Sequence, residues 1–394
     1  MDNNQNEIRE LDNLIEKVKE AQKIYSKFSQ NEVDKIFFYA AKKANEMRIP
    51  LAQMAIDETK MGILEDKVIK NHFASEFVYN KYKCVKTCGE IHCDSVNGIK
   101  IIAEPLGIIA GIVPTTNPTS TAIFKSLIAL KTRNGIIFSP HPNAKNSTIE
   151  ACNIILNAAI EAGAPNNIIG WIENPTIDLS NALMHHKDVD VILATGGPNM
   201  VKAAYSSGKP ALGVGPGNVP ALIDEKADIR QAISSIILSK TFDNGMICAS
   251  EQSVIAVESV YNQVVEELKY RCCHILNDQE KQKVSNTMFV DGKLNPKIVG
   301  QSACKIAQMA EIDVPQNTKL LVGETTLISK NEPFSLEKLS PVIALYKATD
   351  FENGVEIAKS LVNLAGKGHT SSLHTDCRFD DRINYFSENL NTGR

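Results

Sequence analysis

Residues 107–139 read GIIAGIVPTTNPTSTAIFKSLIALKTRNGIIFS. Gly107–Val113 is a short, wholly apolar run, which is how a strand buried on both faces reads. Ser120–Lys131 places Ile123, Phe124, Leu127 and Leu130 at helical spacing. Gly135–Ser139 is a second apolar run. Strand, helix and strand in that order predict a crossover unit and a parallel sheet. The polar loop Pro114–Thr121 then lies at the carboxyl end of the first strand, the default ligand position in such a sheet. Within it, Asn117 can aim an amide N–H at a developing oxyanion. The structural alternative is a loop and helix cap, a task open also to Thr119 or Ser120.

The same texture extends outward. A helix is expected over Ser147–Glu161, stopped by Gly163 and Pro165. Strands are expected at Ile168–Ile172, Val189–Ala194 and Ala211–Val214. Beyond Phe242 come a strand at Ser253–Val257, a helix at Tyr261–Leu276, strands at Lys319–Val322 and Val342–Tyr346, and a helix at Gly354–Leu364. The first 80 residues read as helices, with Ser29 and Glu32 as a capping box. The expected fold class is α/β: two lobes with parallel sheets, residues 1–245 and 246–394.

Composition bounds the function. The chain has 394 residues, 43% apolar and 22% charged, the balance of a globular protein. A net charge of -4, from 42 basic and 46 acidic side chains, argues against a nucleic-acid or acidic-membrane partner. No run approaches the ~18 uncharged apolar residues of a membrane span. The polar start, MDNNQNEIRELDNLIEKVKE, has no apolar core of a secretory signal. Nine cysteines, an odd number, fit a reducing, cytoplasmic location and leave room for a working thiol.

Cys248 is the strongest thiol candidate. It sits in FDNGMICASEQ (242–252), after the turn signal Asp243-Asn244-Gly245 and before an apolar strand. That position exposes backbone and frees an N–H for an oxyanion. The alternative is a small buried hydrophobe at a strand start. Cys84, Cys88, His92 and Cys93 are close in sequence, but C-x3-C-x3-H-C lacks the usual zinc hook and lies in a stretch resembling a hairpin turned at Asn97-Gly98. No metal is expected. Cys272, Cys273 and His274 are read as packing residues ending a helix. Thr195-Gly196-Gly197 ends a strand and opens a helix, which brings bare amides near a phosphate or sugar. Gly213-Val-Gly-Pro-Gly-Asn218 is a second glycine loop, implying close approach by a ligand or another backbone.

PTTNPTSTAIFKSLIALKTRN, ILATGGPNMVKAAYSSGKPALGVGPGNVP and KTFDNGMICASEQ occur here in the order and spacing of the acylating aldehyde dehydrogenases, and EKLSPVIALY and GKGHTSSLHT continue the match. The chain resembles in particular the N-terminal half of bifunctional aldehyde–alcohol dehydrogenases. The resemblance implies an aldehyde dehydrogenase-like fold, with a Rossmann-like NAD-binding lobe and a catalytic thiol lobe. It implies Cys248 as nucleophile, Asn117 as oxyanion donor and His369 as an aid to acyl transfer. Cys248 would carry a thioester during NAD-dependent oxidation of acetaldehyde, or during the reverse reduction of acetyl-CoA. A bland reading of His369 is a loop residue beside a helix C-cap at Gly366 or Gly368. For NAD it implies the turn Thr195, Gly196 and Gly197, the ribose contact Glu337, and Ser139 and His141 on the adenosine side. Gly213 stands where hydrolytic relatives carry a glutamate base, so coenzyme A rather than water is expected to take the acyl group. The resemblance also implies that the domain continues past Arg394 into an oligomerisation strand, with a homo-oligomer expected if the full domain is present. The alternatives are an inactive truncated chain serving as a partner or filament subunit, and a hydrolytic aldehyde dehydrogenase.

Overall fold

The computed structural model describes residues 2–394, with side chains from Gln5 onward. The chain forms two compact units. The first runs through Lys60 and resumes over Leu64–Gly215; the second takes Met61–Ile63 and Pro216–Arg394.

The first unit begins with α1 (Asp2–Tyr25), α2 (Gln30–Glu46), α3 (Arg48–Thr59), α4 (Leu64–His72) and, after a π turn, α5 (Val78–Tyr82). The expected capping box is formed: Ser29 and Glu32 satisfy each other's backbone N–H at the start of α2. An antiparallel hairpin follows, β1 (Gly89–Asp94) and β2 (Ile99–Ala103), with Gly98 at φ 69° in its turn. Next come β3 (Ile108–Ile112), α6 (Pro118–Lys131), β4 (Gly135–Ser139), α7 (Lys145–Glu161), β5 (Ile169–Trp171), α8 (Ile177–His185), β6 (Val191–Thr195), α9 (Pro198–Tyr205) and β7 (Ala211–Val214). The strands form a parallel sheet in the order β5-β4-β3-β6-β7. The chain runs outward from β3 through β4 and β5, then returns to β6 on the other side of β3. The topological switch point is therefore between β3 and β6. Successive β3 residues belong to opposite faces: Ile109 packs with Phe37, Leu127 and Leu130, whereas Ile108, Ala110 and Ile112 pack with Leu11, Ile15 and Leu183. Both faces are covered, which is why this strand reads as a continuous apolar run. Each such buried aliphatic side chain contributes about 1.5–3 kcal/mol.

The second unit contains β8 (Val219–Ile223), α10 (Ile229–Thr241), β9 (Glu251–Val257), α11 (Glu258–Tyr270), β10 (Cys273–Ile275), α12 (Asp278–Met288), a two-residue-stranded hairpin β11 (Phe289–Val290) and β12 (Lys293–Leu294), α13 (Ala303–Met309), β13 (Leu320–Glu324), β14 (Val342–Ala348), α14 (Phe351–Leu364), β15 (Ser372–His374) and α15 (Asp380–Asn389). Its six-stranded parallel sheet has the order β10-β13-β14-β9-β8-β15. Its central strands, too, are buried on both faces, Ile255 against Leu222 and Ala344, and Val254 against Ile233 and Val264.

The structure differs from the sequence reading in two places. The compact units change over at Gly215–Pro216 rather than at 245, because Val219–Ile223 is the strand β8, paired in parallel with β9. Pro220 obscures that strand in the sequence, since proline cannot donate to a ladder; the register shifts between Val219 and Pro220 to accommodate it. The helix expected through Leu276 ends at Tyr270, and Cys272 adopts φ 65°. Cys272 is then a turn residue, Cys273 is a buried residue of edge strand β10, and His274 lies 3.1 Å from Glu280.

Candidate active site

In the second unit, α10 is followed by a tight turn over Phe242–Gly245. Asp243 (φ 49°), Asn244 (φ 51°) and Gly245 (φ 75°) are all left-handed. Left-handed backbone in non-glycine residues costs about 1–3 kcal/mol each and persists only where the surroundings hold it. Here buried Asp243 accepts the Ile63 N–H at 2.8 Å, and the Asn244 amide donates to the Gly300 carbonyl at 2.9 Å. Cys248 follows in a second turn, closed by the Ser250 N–H and hydroxyl, which donate to the Ile247 carbonyl at 3.0 and 2.8 Å. The thiol is half-buried, and β9 starts at Glu251.

The glycine loop explains how other predicted residues reach this turn. A Cβ on Gly217 would lie 1.9 Å from the Cys248 carbonyl oxygen and 3.1 Å from His369 Cε1. The close approach expected of this loop is therefore by another backbone. The Gly217 N–H donates to Glu337 Oε1 at 2.9 Å. Cys248, His369 and Glu337, far apart in sequence, thus all meet Gly217. Asn218 anchors the loop by donating to the Ser335 and Leu361 carbonyls at 2.8 and 2.9 Å. Gly366, at φ 113°, is needed beneath it, because a Cβ there would come within 2.8 Å of the Asn218 nitrogen. Burial, and secondarily the Arg394 charge, depress the His369 imidazole below its usual range, so the ring is neutral at neutral pH. Burial pushes the Glu337 carboxyl up to about 7, against the opposing pull of the Gly217 N–H and the Lys240 and Lys338 charges.

Behind the thiol turn is a wholly buried polar knot centred on Gln252. Its Oε1 accepts from Lys240 Nζ (2.9 Å) and the Lys338 N–H (3.1 Å), and its carbonyl accepts from Lys338 Nζ (3.1 Å). Lys338 also donates to the Leu336 carbonyl at 2.7 Å. Desolvation lowers both ammonium groups, Lys240 to about 7 and Lys338 well below the usual lysine range. The knot ties the Glu337 segment to the first residues of β9, and so to the thiol turn.

The residues predicted in the first unit gather at the carboxyl ends of its strands. Asn117 follows β3, Ser139 ends β4, and Thr195–Gly197 closes β6 and opens α9. Buried Lys125 ties β3 to β6 at the switch point, donating to the Ile112 carbonyl (2.6 Å) and the Leu193 carbonyl (2.7 Å), and burial lowers it to about 7. Gly197 is the N-cap of α9, and a Cβ added there meets nothing within 4 Å. Open space over a helix N-terminus at a sheet switch point suits the phosphates of a dinucleotide. The Ser139 hydroxyl, by contrast, is buried against the Ser180 hydroxyl at 2.7 Å. His141 is exposed, and its Nδ1 accepts the Asn143 N–H at 3.1 Å. Gly213 lies in β7, with its N–H and carbonyl 3.1 and 3.2 Å from the Tyr205 hydroxyl. Asn117 occupies the N-cap position of α6, but its side chain makes no cap bond. Thr119 does not cap either; its hydroxyl donates to Asn71 at 2.8 Å.

Among the described residues there is no cluster of three or more metal-ligating side chains and no helix long and apolar enough to cross a membrane. All nine cysteines are thiols. Gly217 was visible in the sequence only as one member of a glycine loop. Gln252, Lys338 and the α4 residues Lys67 and Lys70 gave no signal there, because polar side chains with tertiary partners read in sequence as surface ones.

One parallel-sheet unit carries an open glycine turn where β6 meets α9, and in the other Cys248, His369 and Glu337 meet at Gly217. Residues 3–394 match the aldehyde dehydrogenase family, and the chain belongs to it. It is 58% identical over 388 residues to the bifunctional aldehyde-alcohol dehydrogenase of Escherichia coli K12, covering 98% of this chain and 44% of that protein. The chain thus spans less than half the length of that relative. The acetylating aldehyde dehydrogenase of Geobacillus thermoglucosidasius superposes with a TM-score of 0.96 at 50% identity, over 99% of this chain and 86% of the other. A propionaldehyde dehydrogenase of Rhodopseudomonas palustris, solved with bound propionyl-CoA, gives a TM-score of 0.86 at 29% identity, over 97% of this chain and 83% of the other.

Proposed function

We propose that this chain carries out NAD-dependent, coenzyme A-acylating oxidation of a short aldehyde such as acetaldehyde, or the reverse reduction of acetyl-CoA. The convergence of Cys248, His369 and Glu337 on Gly217 is the observation that carries the reading. The Cys248 thiolate adds to the aldehyde carbonyl, and the Cys248 N–H and the Asn117 amide share the oxyanion. NAD, when bound, accepts the hydride as the adduct collapses to a thioester on Cys248. Glu337 holds the nicotinamide ribose. Thr195, Gly196 and Gly197 meet the cofactor phosphates, while Ser139, His141 and Gly213 line the remainder of its path. Because the Ser139 hydroxyl is spent on Ser180, its contribution is through backbone.

The acyl group then passes from Cys248 to the thiol of coenzyme A. His369, neutral and beside Gly217, takes the thiol proton. With glycine at 213 there is no carboxylate at that position to activate water. Nine cysteines, all of them thiols, fit a reducing, cytoplasmic location, and the resemblance to acylating aldehyde dehydrogenases suggests a homo-oligomer. The test is NADH formation from acetaldehyde with and without coenzyme A. Sustained turnover should require coenzyme A; equal turnover without it would refute the reading.

A further inference from the structure

The loop that carries Asn117 is gripped by one face of α4. Lys67, Lys70 and Asn71 are spaced i, i+3 and i+4, so they share that face. Lys67, only 3% exposed, directs Nζ to the Thr116 carbonyl at 3.4 Å. The Asn71 carboxamide accepts from the Thr119 hydroxyl at 2.8 Å and donates to the Arg48 carbonyl at 3.0 Å. Between them, Lys70 Nζ donates to Asn117 Oδ1 at 2.7 Å. Among the described residues, the other polar contact of the Asn117 side chain is from Nδ2 to the Thr116 hydroxyl at 3.2 Å.

These two partners differ in what they can tell apart. A hydroxyl both donates and accepts, so Thr116 suits either end of the amide. An ammonium only donates, so Lys70 pairs with the oxygen end of the amide and not with the nitrogen end. The amide of an N-cap asparagine ordinarily spends its oxygen on the helix, but this one makes no cap bond. Its orientation is set by Lys70 instead. One Nδ2 hydrogen is engaged with Thr116, which leaves the other to donate.

We propose that Lys70 is a positioning residue for aldehyde oxidation: by taking Asn117 Oδ1 it holds the amide with its N–H presented to the oxyanion. This rests on the assignment of Asn117 as oxyanion donor. Removing an oxyanion-hole donor costs about 10²–10³ in kcat. Losing its orientation costs less, since the amide still visits the productive flip, so Lys70→Met should lower kcat about 10- to 10²-fold. The KM for aldehyde and the Kd for NAD should stay within about twofold, because the interaction is realised in the transition state.

The experiment measures kcat, KM and NAD affinity for Lys70→Met, Lys70→Gln, Lys70→Arg, Asn117→Ala and the double variant Lys70→Met/Asn117→Ala, with thermal melts as a folding control. Lys70→Gln and Lys70→Arg retain N–H donors and should recover part of the rate. If Lys70 acts through Asn117, the double variant should be no slower than Asn117→Ala, within about twofold. Losses that multiply in the double variant, or a Lys70→Met enzyme at the wild-type rate beside a slow Asn117→Ala, overturn the role of Lys70 alone. An Asn117→Ala enzyme at the wild-type rate overturns the oxyanion assignment itself.

Discussion

Replacing Gly217 with alanine tests whether the glycine loop assembles the thiol site. The added Cβ would lie 1.9 Å from the Cys248 carbonyl oxygen and 2.9 Å from its carbonyl carbon, where ordinary contacts begin at 3.4 Å. The Cys248 turn or the Gly217 loop must therefore yield by about 1.5 Å, the difference between 3.4 and 1.9 Å. Neither gives easily: the obstructing atoms are backbone, and Asn218 fixes the loop through two buried hydrogen bonds. Overpacking of this kind typically costs about 1–3 kcal/mol in stability. A displacement near 1 Å at a reacting group costs about 10²-fold in rate. Gly217→Ala should thus fold with a lowered Tm but lose about 10²-fold or more in kcat/KM for aldehyde. Cys248 should also alkylate with iodoacetamide at a clearly altered rate. Gly215→Ala is the control from the same loop, since a Cβ there meets nothing within 4 Å, and it should behave as wild type. Gly217→Ala within threefold of the wild-type rate would refute the claim that this glycine packs the site.

The remaining predictions concern the groups around that glycine. Glu337 has a folded-state pKa raised by burial from 4.5 to about 7, so its stabilising contribution is full below about pH 4.5 and is lost as pH rises through about 7. Glu337→Gln should flatten the fall in Tm across that window, and an unchanged pH profile would show that the carboxyl is not held neutral by its surroundings. His369→Ala should slow acyl transfer to coenzyme A by about 10²-fold or more while NAD affinity holds, as for loss of a general base. Equal weakening of both steps in single-turnover measurements would favour a loop role for His369.

Much of the fold was legible because strands buried on both faces leave unbroken apolar runs, as at Ile108–Ile112 and residues 342–346. β8 was hidden by Pro220, and the edge strand β10 by the three residues it contributes after a left-handed Cys272. Cys248 could be singled out because an Asp-Asn-Gly turn has a local signature, and the turn does place three successive left-handed residues before the thiol. What joins Cys248 to His369 and Glu337 has no such signature. It depends on the absence of one Cβ at Gly217 and on one hydrogen bond spanning 120 residues between Gly217 and Glu337. The anchoring lysines were equally invisible. Lys70, Lys125 and Lys338 look in sequence like solvated charges, and only their tertiary acceptors, a carboxamide and backbone carbonyls, reveal what they hold.

On the proposed mechanism Cys248 carries the acyl group, and coenzyme A, rather than water, removes it. The most direct measurement is peptide mass spectrometry after mixing the protein with acetaldehyde and NAD in the absence of coenzyme A, followed by its addition. An acetyl group should accumulate on the peptide containing Cys248, together with a single burst of NADH, and should depart as acetyl-CoA when coenzyme A is supplied. Continuous release of free acetate without coenzyme A, with Cys248 unmodified throughout, would contradict the account.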